Sequence, residues 1–398
     1  MRYVAAIVVI VVVAAGVFAG VQLTRSVPSP SFEPKLASAT ALPGSAPSLP
    51  WPSIGSGAVS VKGLGLVGQF GTTTPQAIAS IAKVMTALIV LTDHPLSQGE
   101  NGPSITFDAS DVATYNADVA DSQSVIKVVA GESLTELQAL EALLIPSANN
   151  VAIKLAQWDA GSTASFVAKM NATASRLGMT SSHFTDPSGL TATTVSTAPD
   201  LLKLAAAAMA NSAFASIVDM PQVTLPYNGT VYNYDYDLGH DGIVGIKTGS
   251  DSAAGGCFLF DSNDSVDGRQ VQIIGVVLGQ QTVSPITAAL DAAEKLVPAT
   301  LRVLHTYTAV PSGLVVGQIA APWSKSVTVT TTAALTVFGW PGERLGLSLN
   351  RISRLPATVT AGEKLGTLLL ETPGRTESTT VEATGSITGP SFSWRLER

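Results

Sequence analysis

The chain has 398 residues, 46% of them hydrophobic, enough for two or three domains of ordinary size, each with its own core. Its formal net charge is −7, from 22 Lys and Arg against 29 Asp and Glu, and no basic run tracks phosphates, which argues against a nucleic-acid partner. The single cysteine, Cys257, excludes an intrachain disulfide, and His94, His183, His240 and His305 lack any metal-ligand spacing, so neither a metal nor another cofactor is expected.

Residues 3–23, YVAAIVVIVVVAAGVFAGVQL, carry no charge, are apolar apart from Gln22, and match the roughly 20 residues a bilayer-crossing helix needs. With Arg2 as a basic end and Val17-Phe18-Ala19 as a small-residue cleavage site, the same run also reads as a signal peptide. Residues 1–23 are therefore expected to be a transmembrane anchor or a signal peptide, with the rest exported or membrane-tethered. Arg2 faces Arg25 and Lys35 across the run, so charge leaves the orientation open. Residues 24–53, with SVPSPSFEPK and LPGSAPSLPWPS, are rich in Pro, Ser and Ala and read as an extended linker.

The region 54–300 mixes strand-like and helical segments, as a sheet covered by helices does. After Pro75, the stretch AIASIAKVMTALIVL repeats Ile78, Ile81, Met85 and Leu88 at helical spacing, and places Ser80 and Lys83 one turn apart near a helix start. The helix dipole and burial both lower a lysine pKa there, and a neutral amine takes a serine proton without a histidine. A serine at a helix start is also an ordinary cap. Ser124 and Lys127 repeat the spacing inside SVIKVVAGES, a strand-like run without a helical face, so one of the two pairs is idle.

Further along, GESLTELQALEALL opens with Ser133 and Glu136 in capping-box spacing, and Pro146 stops that helix. Ser147, Ala148 and Asn149 then form a corner before VAIKLA, where a hydroxyl can relay a proton and an amide can bond a peptide, or where either side chain simply caps the next helix. APDLLKLAAAAMANSAFASIV reads as helical. GHDGIVGIKTGSDSAAGGCFLF reads as a strand ending in Lys247, Thr248 and Gly249, a turn from Ser250 to Gly256, and a returning core strand that buries Cys257. Lys247 would present positive charge along a sheet edge where an extended peptide adds, and Gly249 lacks the Cβ that would block it. VQIIGVVLG is a further strand. From residue 302 to 398, SVTVTTTAALTVFGW, LGLSLNRIS, ATVTAGEKLGTLLLE and TTVEATGSITG are short antiparallel-strand signals, expected to form a small all-β domain.

Taken in order, Ser80 with Lys83, Ser147 with Asn149, and Lys247-Thr248-Gly249 resemble the three-part signature of penicillin-binding proteins and serine β-lactamases. AIASIAKVMTAL, AGESLTELQALEALLIPSANNVA, FVAKMNATASRLGMTSSHFTDPSGL, STAPDLLKLA and DGIVGIKTGSDSAAGG are together similar to the serine D-alanyl-D-alanine carboxypeptidases, the low-molecular-mass penicillin-binding proteins, over about residues 54–300. The β region is similar to the second domain that many of them carry. The resemblance implies an α/β fold: a transpeptidase/β-lactamase-like antiparallel sheet with helices and a helical subdomain. It implies that Ser80 attacks the terminal D-Ala-D-Ala bond of peptidoglycan stem peptides, with Lys83 as base and Ser147 as proton relay. Asn149 would hold the substrate amide, Lys247 and Thr248 the terminal carboxylate, and the N–H groups of Ser80 and Ser250 the oxyanion. β-Lactam antibiotics would be covalent inhibitors, and the enzyme would work at the extracytoplasmic face of the membrane.

Ala82, Ala148 and Asn150 stand where threonine, glycine and aspartate are usual, and the neutral Gln280 and Gln281 where many relatives carry an arginine. The alternatives are a catalytically weak cell-wall peptide-binding relative, which the missing arginine favours, and a serine β-lactamase. The latter lacks a deacylating glutamate, since none occurs between Glu141 and Glu294.

Overall fold

The computed structural model describes residues 2–97, 99–351, 355–372 and 375–398. Met1 of the expected anchor and Ile352 and Ser353 of the expected strand LGLSLNRIS lie outside that description. The chain divides into two compact units, Pro47–His305, and Met1–Ala46 together with Thr306–Arg398.

The first unit is built on a five-stranded antiparallel sheet in the order Ile243–Asp251, Gly255–Val266, Arg269–Gln280, Ser56–Val61, Gly65–Phe70. Its two longest strands meet at Asp267-Gly268, both at positive φ (52° and 74°), the turn that an Asp-Gly pair favours in a two-residue hairpin. The helices Ala198–Met209 and Pro285–Val303 lie against the sheet, which is why its central strands read as near-continuous apolar runs. Cys257 is fully buried there, as GGCFLF suggests, and burial pushes its thiol up to about 12.

The helix Ala82–Asp93 runs through the centre of a helical subdomain and is apolar nearly all round, with Val84, Met85, Ala87 and Val90 wholly buried. The two valines and Met85 contribute about 1.5–3 kcal/mol each, so the helix is held by packing rather than by propensity. Glu136–Leu144, Asn149–Ala160, Thr163–Arg176 and Ala198–Met209 surround it. The capping box sits two residues later than Ser133 and Glu136 suggest: Thr135 caps, and Gln138 returns the bond. Ser133 belongs instead to a short strand, Ser133–Thr135, paired with Ser104–Thr106, which delays the helix start. The expected single helix after Ala198 is two helices, because Asn211 caps a new one at Ser212–Val218.

SVIK is not a strand. Residues 124–127 run without a ladder partner, and amide side chains satisfy their backbone instead. Asn150 accepts from Ile126 N at 3.2 Å and donates to Ile126 O at 2.9 Å, while Asn228 does the same for Lys127 at 2.8 and 3.0 Å.

The second unit carries the apolar helix Arg2–Thr24, 23 residues with an 18-residue stretch of mean hydropathy 3.0, long enough to cross a membrane. Its β part is a seven-stranded antiparallel sheet in the order Ser31–Pro34, Val315–Ala321, Ser324–Thr331, Arg375–Ala383, Lys364–Thr372, Arg344–Arg351, Ala39–Ala41. Two of these strands fall inside 24–53, the stretch expected to be only a linker. They occupy the two edges, pairing Ser31 with Ala320 and Ala41 with Arg344, and Leu42 beside them is buried in the core. Composition hides them because they are four and three residues long, and an edge strand accommodates Pro34.

Candidate active site

Ser80 lies in a single 3-10 turn, Ala79–Ile81, directly before the central helix. Ala79 is held at φ 44°, a left-handed conformation that costs a non-glycine residue about 1–3 kcal/mol. Two glycines allow the turn to be gripped that tightly. A Cβ on Gly189 would stand 1.8 Å from Ala79 O, and one on Gly249 would stand 2.9 Å from Ser80 N. Gly249 thus clears space for the backbone of the Ser80 turn itself.

Lys83 is wholly buried, with Nζ 2.7 Å from Ser80 Oγ. It also donates to Asn149 Oδ1 at 2.6 Å and to Ser188 O at 3.1 Å. Burial pushes its pKa well below the ordinary lysine value, the charge of Lys247 lowers it further, and Asp186 opposes both. A neutral amine has two N–H donors and one lone pair. The two carbonyl oxygens use the donors, and the lone pair faces the Ser80 hydroxyl.

The Ser188 carbonyl is presented by a turn within FTDPSGL. The Asp186 carboxylate accepts from Ser188 N (3.1 Å), Ser188 Oγ (2.6 Å), Gly189 N (2.7 Å), Leu190 N (3.1 Å) and Thr194 Oγ1 (2.6 Å). Pro187 O accepts from Thr86 Oγ1 at 2.7 Å, tying the turn to the central helix. Sequence reasoning gave this segment no role. Its Asp-Pro-Ser-Gly pattern signals a turn but not what the turn faces.

The corner after Pro146 brings Asn149 to Lys83. Asn149 points Oδ1 at Lys83, donates Nδ2 to Gln123 Oε1 at 2.8 Å, and donates its backbone N–H to Ser124 O at 2.8 Å. Ser124, whose spacing to Lys127 imitates Ser80 and Lys83, therefore serves the site through its carbonyl, while the Lys127 side chain is exposed. Ser147 adopts φ 62°, and its buried Oγ makes no hydrogen bond among the described residues.

Lys247, Thr248 and Gly249 lie inside the edge strand Ile243–Asp251, not at its end, and the strand runs past the Ser80 turn. Lys247 is buried and donates to Thr248 O at 3.0 Å. Burial lowers its pKa to about 7, against an opposing pull from Asp235, a carboxyl that burial pushes up to about 7. Ser250 is exposed on the same strand. Gln280 is buried and donates to Ile54 O at 2.9 Å, and the exposed Gln281 donates to Ala253 O at 3.3 Å, so neither brings a charge. Among the described residues no group of three or more His, Cys, Asp or Glu is placed to hold a metal.

The family model for D-alanyl-D-alanine carboxypeptidases, Peptidase_S11, matches residues 69–282. The chain is 39% identical over 191 residues to D-alanyl-D-alanine carboxypeptidase DacB2 of Mycobacterium tuberculosis, a match covering 46% of this chain and 60% of the relative, so less than two thirds of that protein's length is spanned. It is 30% identical over 227 residues to a D-alanyl-D-alanine carboxypeptidase of a Streptomyces species, covering 53% of this chain and 75% of that one. Among solved structures, the Streptomyces K15 DD-transpeptidase aligns with TM-score 0.54 at 28% identity, over 63% of this chain and 98% of its own. DacD from Francisella tularensis aligns with TM-score 0.60 at 20% identity over 86% and 95%, a likeness of fold. With the α/β transpeptidase fold, the buried lysine beside Ser80 and the family match over more than half its length, the chain belongs to the D-alanyl-D-alanine carboxypeptidase family of serine peptidases.

Proposed function

We propose that the protein is an exported serine DD-carboxypeptidase that removes the terminal D-alanine from peptidoglycan stem peptides through an acyl-enzyme on Ser80. The observation that carries this reading is the buried Lys83 Nζ, 2.7 Å from Ser80 Oγ, with both its N–H donors occupied by carbonyl oxygens. The lone pair takes the Ser80 proton as Oγ attacks the penultimate D-alanine carbonyl. Ser80 N and Ser250 N stabilise the oxyanion, at about 2.7–4 kcal/mol per donor in serine hydrolases. The unpartnered Ser147 hydroxyl passes the proton to the leaving D-alanine nitrogen. Water then attacks the ester, Lys83 takes its proton, and Ser80 is restored.

The terminal carboxylate sits between Lys247 and Thr248, with Gly249 letting the strand close on the Ser80 turn. A carboxylate there raises the Lys247 pKa from about 7, so substrate binding keeps its own clamp charged. Asn149 keeps one Nδ2 hydrogen for the substrate amide after bonding Gln123. β-Lactams enter by the same acylation. The N-terminal helix serves as anchor or export signal, placing the unit Pro47–His305 outside the cytoplasm.

The test is labelling by a fluorescent penicillin together with D-alanine release from a free stem pentapeptide. The parent labels and releases D-alanine, and Ser80→Ala does neither while melting as the parent does. Labelling that survives Ser80→Ala refutes the nucleophile, and labelling without D-alanine release favours a peptide-binding relative.

A further inference from the structure

The segment entering the edge strand reverses the usual burial pattern. From 232 to 237, Tyr232, Tyr234 and Tyr236 are 64%, 38% and 66% exposed, whereas Asn233, Asp235 and Asp237 are 7%, 4% and 7% exposed. Aromatic side chains normally take the inner positions and Asn and Asp the outer ones. Reversals of this kind against local preference occur at functional or strained sites.

The buried polar face holds the rings in place. Asn233 Nδ2 donates to Met220 O at 3.1 Å, Asp235 N to Asn233 Oδ1 at 2.9 Å, and Asp237 N to Asp235 Oδ1 at 3.1 Å. Tyr232 lies on the outer face of the hairpin Gln222–Leu225 with Gly229–Tyr232, where Thr230 opposes Thr224 and both are exposed, while Leu225 turns inward; Tyr234 and Tyr236 follow in the irregular segment beyond it, exposed in alternation with the buried Asn233, Asp235 and Asp237. The strip therefore offers aromatic rings and neutral hydrogen-bonding groups. No Lys or Arg occurs from Leu204 to Ile246, and the exposed Lys127, whose backbone is held by Asn228, stands at the hairpin's turn rather than beside Tyr232; with the exposed Asp241 near the strip, this disfavours anionic polymers and anionic lipid surfaces. A neutral polyhydroxylated chain fits such a surface: tyrosines give rigid, amphipathic contact area at low entropic cost.

We infer that the strip formed by Thr224, Thr230, Tyr232, Tyr234 and Tyr236 is a platform for a neutral glycan strand of N-acetylhexosamines, separate from the catalytic cleft. The segment leads through the turn His240–Gly242 into the edge strand Ile243–Asp251 that carries Lys247, so the platform stands before the N-terminal end of that strand. In the proposed reaction the stem's carboxylate meets Lys247 and its scissile carbonyl meets Ser250, so the rest of that stem runs on past Asp251, away from the tyrosines. The platform thus holds a neighbouring glycan strand, not the one bearing the scissile stem. Only that last placement rests on the carboxypeptidase reading.

The test is calorimetric titration of the full-length protein, in a detergent without sugar headgroups, with a β-1,4-linked N-acetylglucosamine hexamer. The parent should bind saturably, and the triple variant Tyr232→Ser, Tyr234→Ser, Tyr236→Ser should bind about tenfold or more weakly, given the worth of three stacked rings. Penicillin acylation should leave the parent's affinity unchanged, and D-alanine release from a free pentapeptide should match in both proteins. Equal sugar affinity in the two proteins, or no parental binding up to about 10 mM, overturns the platform. Loss of sugar binding on acylation overturns its separation from the cleft. If the triple variant does not melt like the parent, Tyr236→Ser alone carries the comparison. A parent that binds sugar but neither labels nor releases D-alanine counts against the carboxypeptidase reading while supporting the platform.

Discussion

Adding one methyl group at Gly249 tests the geometry around the nucleophile more sharply than removing the nucleophile. In Gly249→Ala the new Cβ would lie 2.9 Å from Ser80 N, 3.2 Å from the Ala79 Cβ and 3.3 Å from Ile81 N. All three contacts are closer than ordinary van der Waals separation, and two are to backbone, so the edge strand and the Ser80 turn must part by about half an ångström to restore ordinary contact. Overpacking of this kind costs about 1–3 kcal/mol of stability, which a two-domain protein survives. The larger effect is catalytic, because Ser80 N is one of the two proposed oxyanion donors, and moving it by that much takes it out of hydrogen-bond range. Losing one costs about 2.7–4 kcal/mol, so acylation should slow about 10²-fold or more while the fold persists. Stopped-flow acylation by a chromogenic penicillin, with a thermal melt of the same sample, measures both quantities. Acylation within about threefold of the parent would refute the argument, since it would mean that the turn and the strand part without moving the donor.

Lys247→Gln should slow penicillin acylation and D-alanine release in parallel by about thirty-fold, on the order of 2 kcal/mol for a buried charge pair left without one partner. The parent's pH profile for acylation should rise as Lys83 loses its proton, well below the ordinary lysine range, and fall as Lys247 discharges near 7 in the empty site; the variant should lose the falling limb. Ser124→Ala should leave acylation within a few-fold of the parent, because the substitution keeps the carbonyl that holds Asn149, and a loss as deep as that of Ser80→Ala would reverse the assignment. Burial pushes Glu136 up to about 7, so the folded protein keeps a proton that the unfolded chain loses near 4.5, and stability falls as pH rises between those values. Glu136→Gln should remove that fall: melting temperatures should match near pH 4, diverge in the variant's favour through the window, and stay apart above it.

The candidate site was legible because the order and type of its groups leave few alternatives. Lys83 bonds both Ser80 and Asn149, and the charge of Lys247 acts on it. What stayed hidden were the groups that hold them. Ser188 acts through a carbonyl, Ser124 through another, and Gly189 through the absence of a side chain, so none has a side-chain chemistry that a motif can name. Asn150 and Asn228 replace a strand ladder along 126–127, which made an extended segment look like a strand by its composition. The edge strands at 31–34 and 39–41 were missed for a different reason. Too short to show alternation, they take their structure from strands nearly 300 residues later in the chain.

Those two strands also fix the shape of their sheet. Seven strands laid flat would separate the edges by six spacings of about 4.8 Å, close to 29 Å. Yet Pro34 on one edge and Ala39 on the other are five residues apart in sequence, which an extended chain covers in at most about 18 Å. The sheet must therefore curl until its edges face each other, with residues 35–38 as a strap across the seam. Lys35 N donates to Val316 O and Leu347 N to Ser38 O, so the strap is fastened at both ends. The catalytic unit is accordingly an insertion between the strap and the five strands that complete the curled sheet. Because residues 47–305 are synthesised before the strands that pair with the strap, the curled sheet can close only after the whole inserted unit has been made.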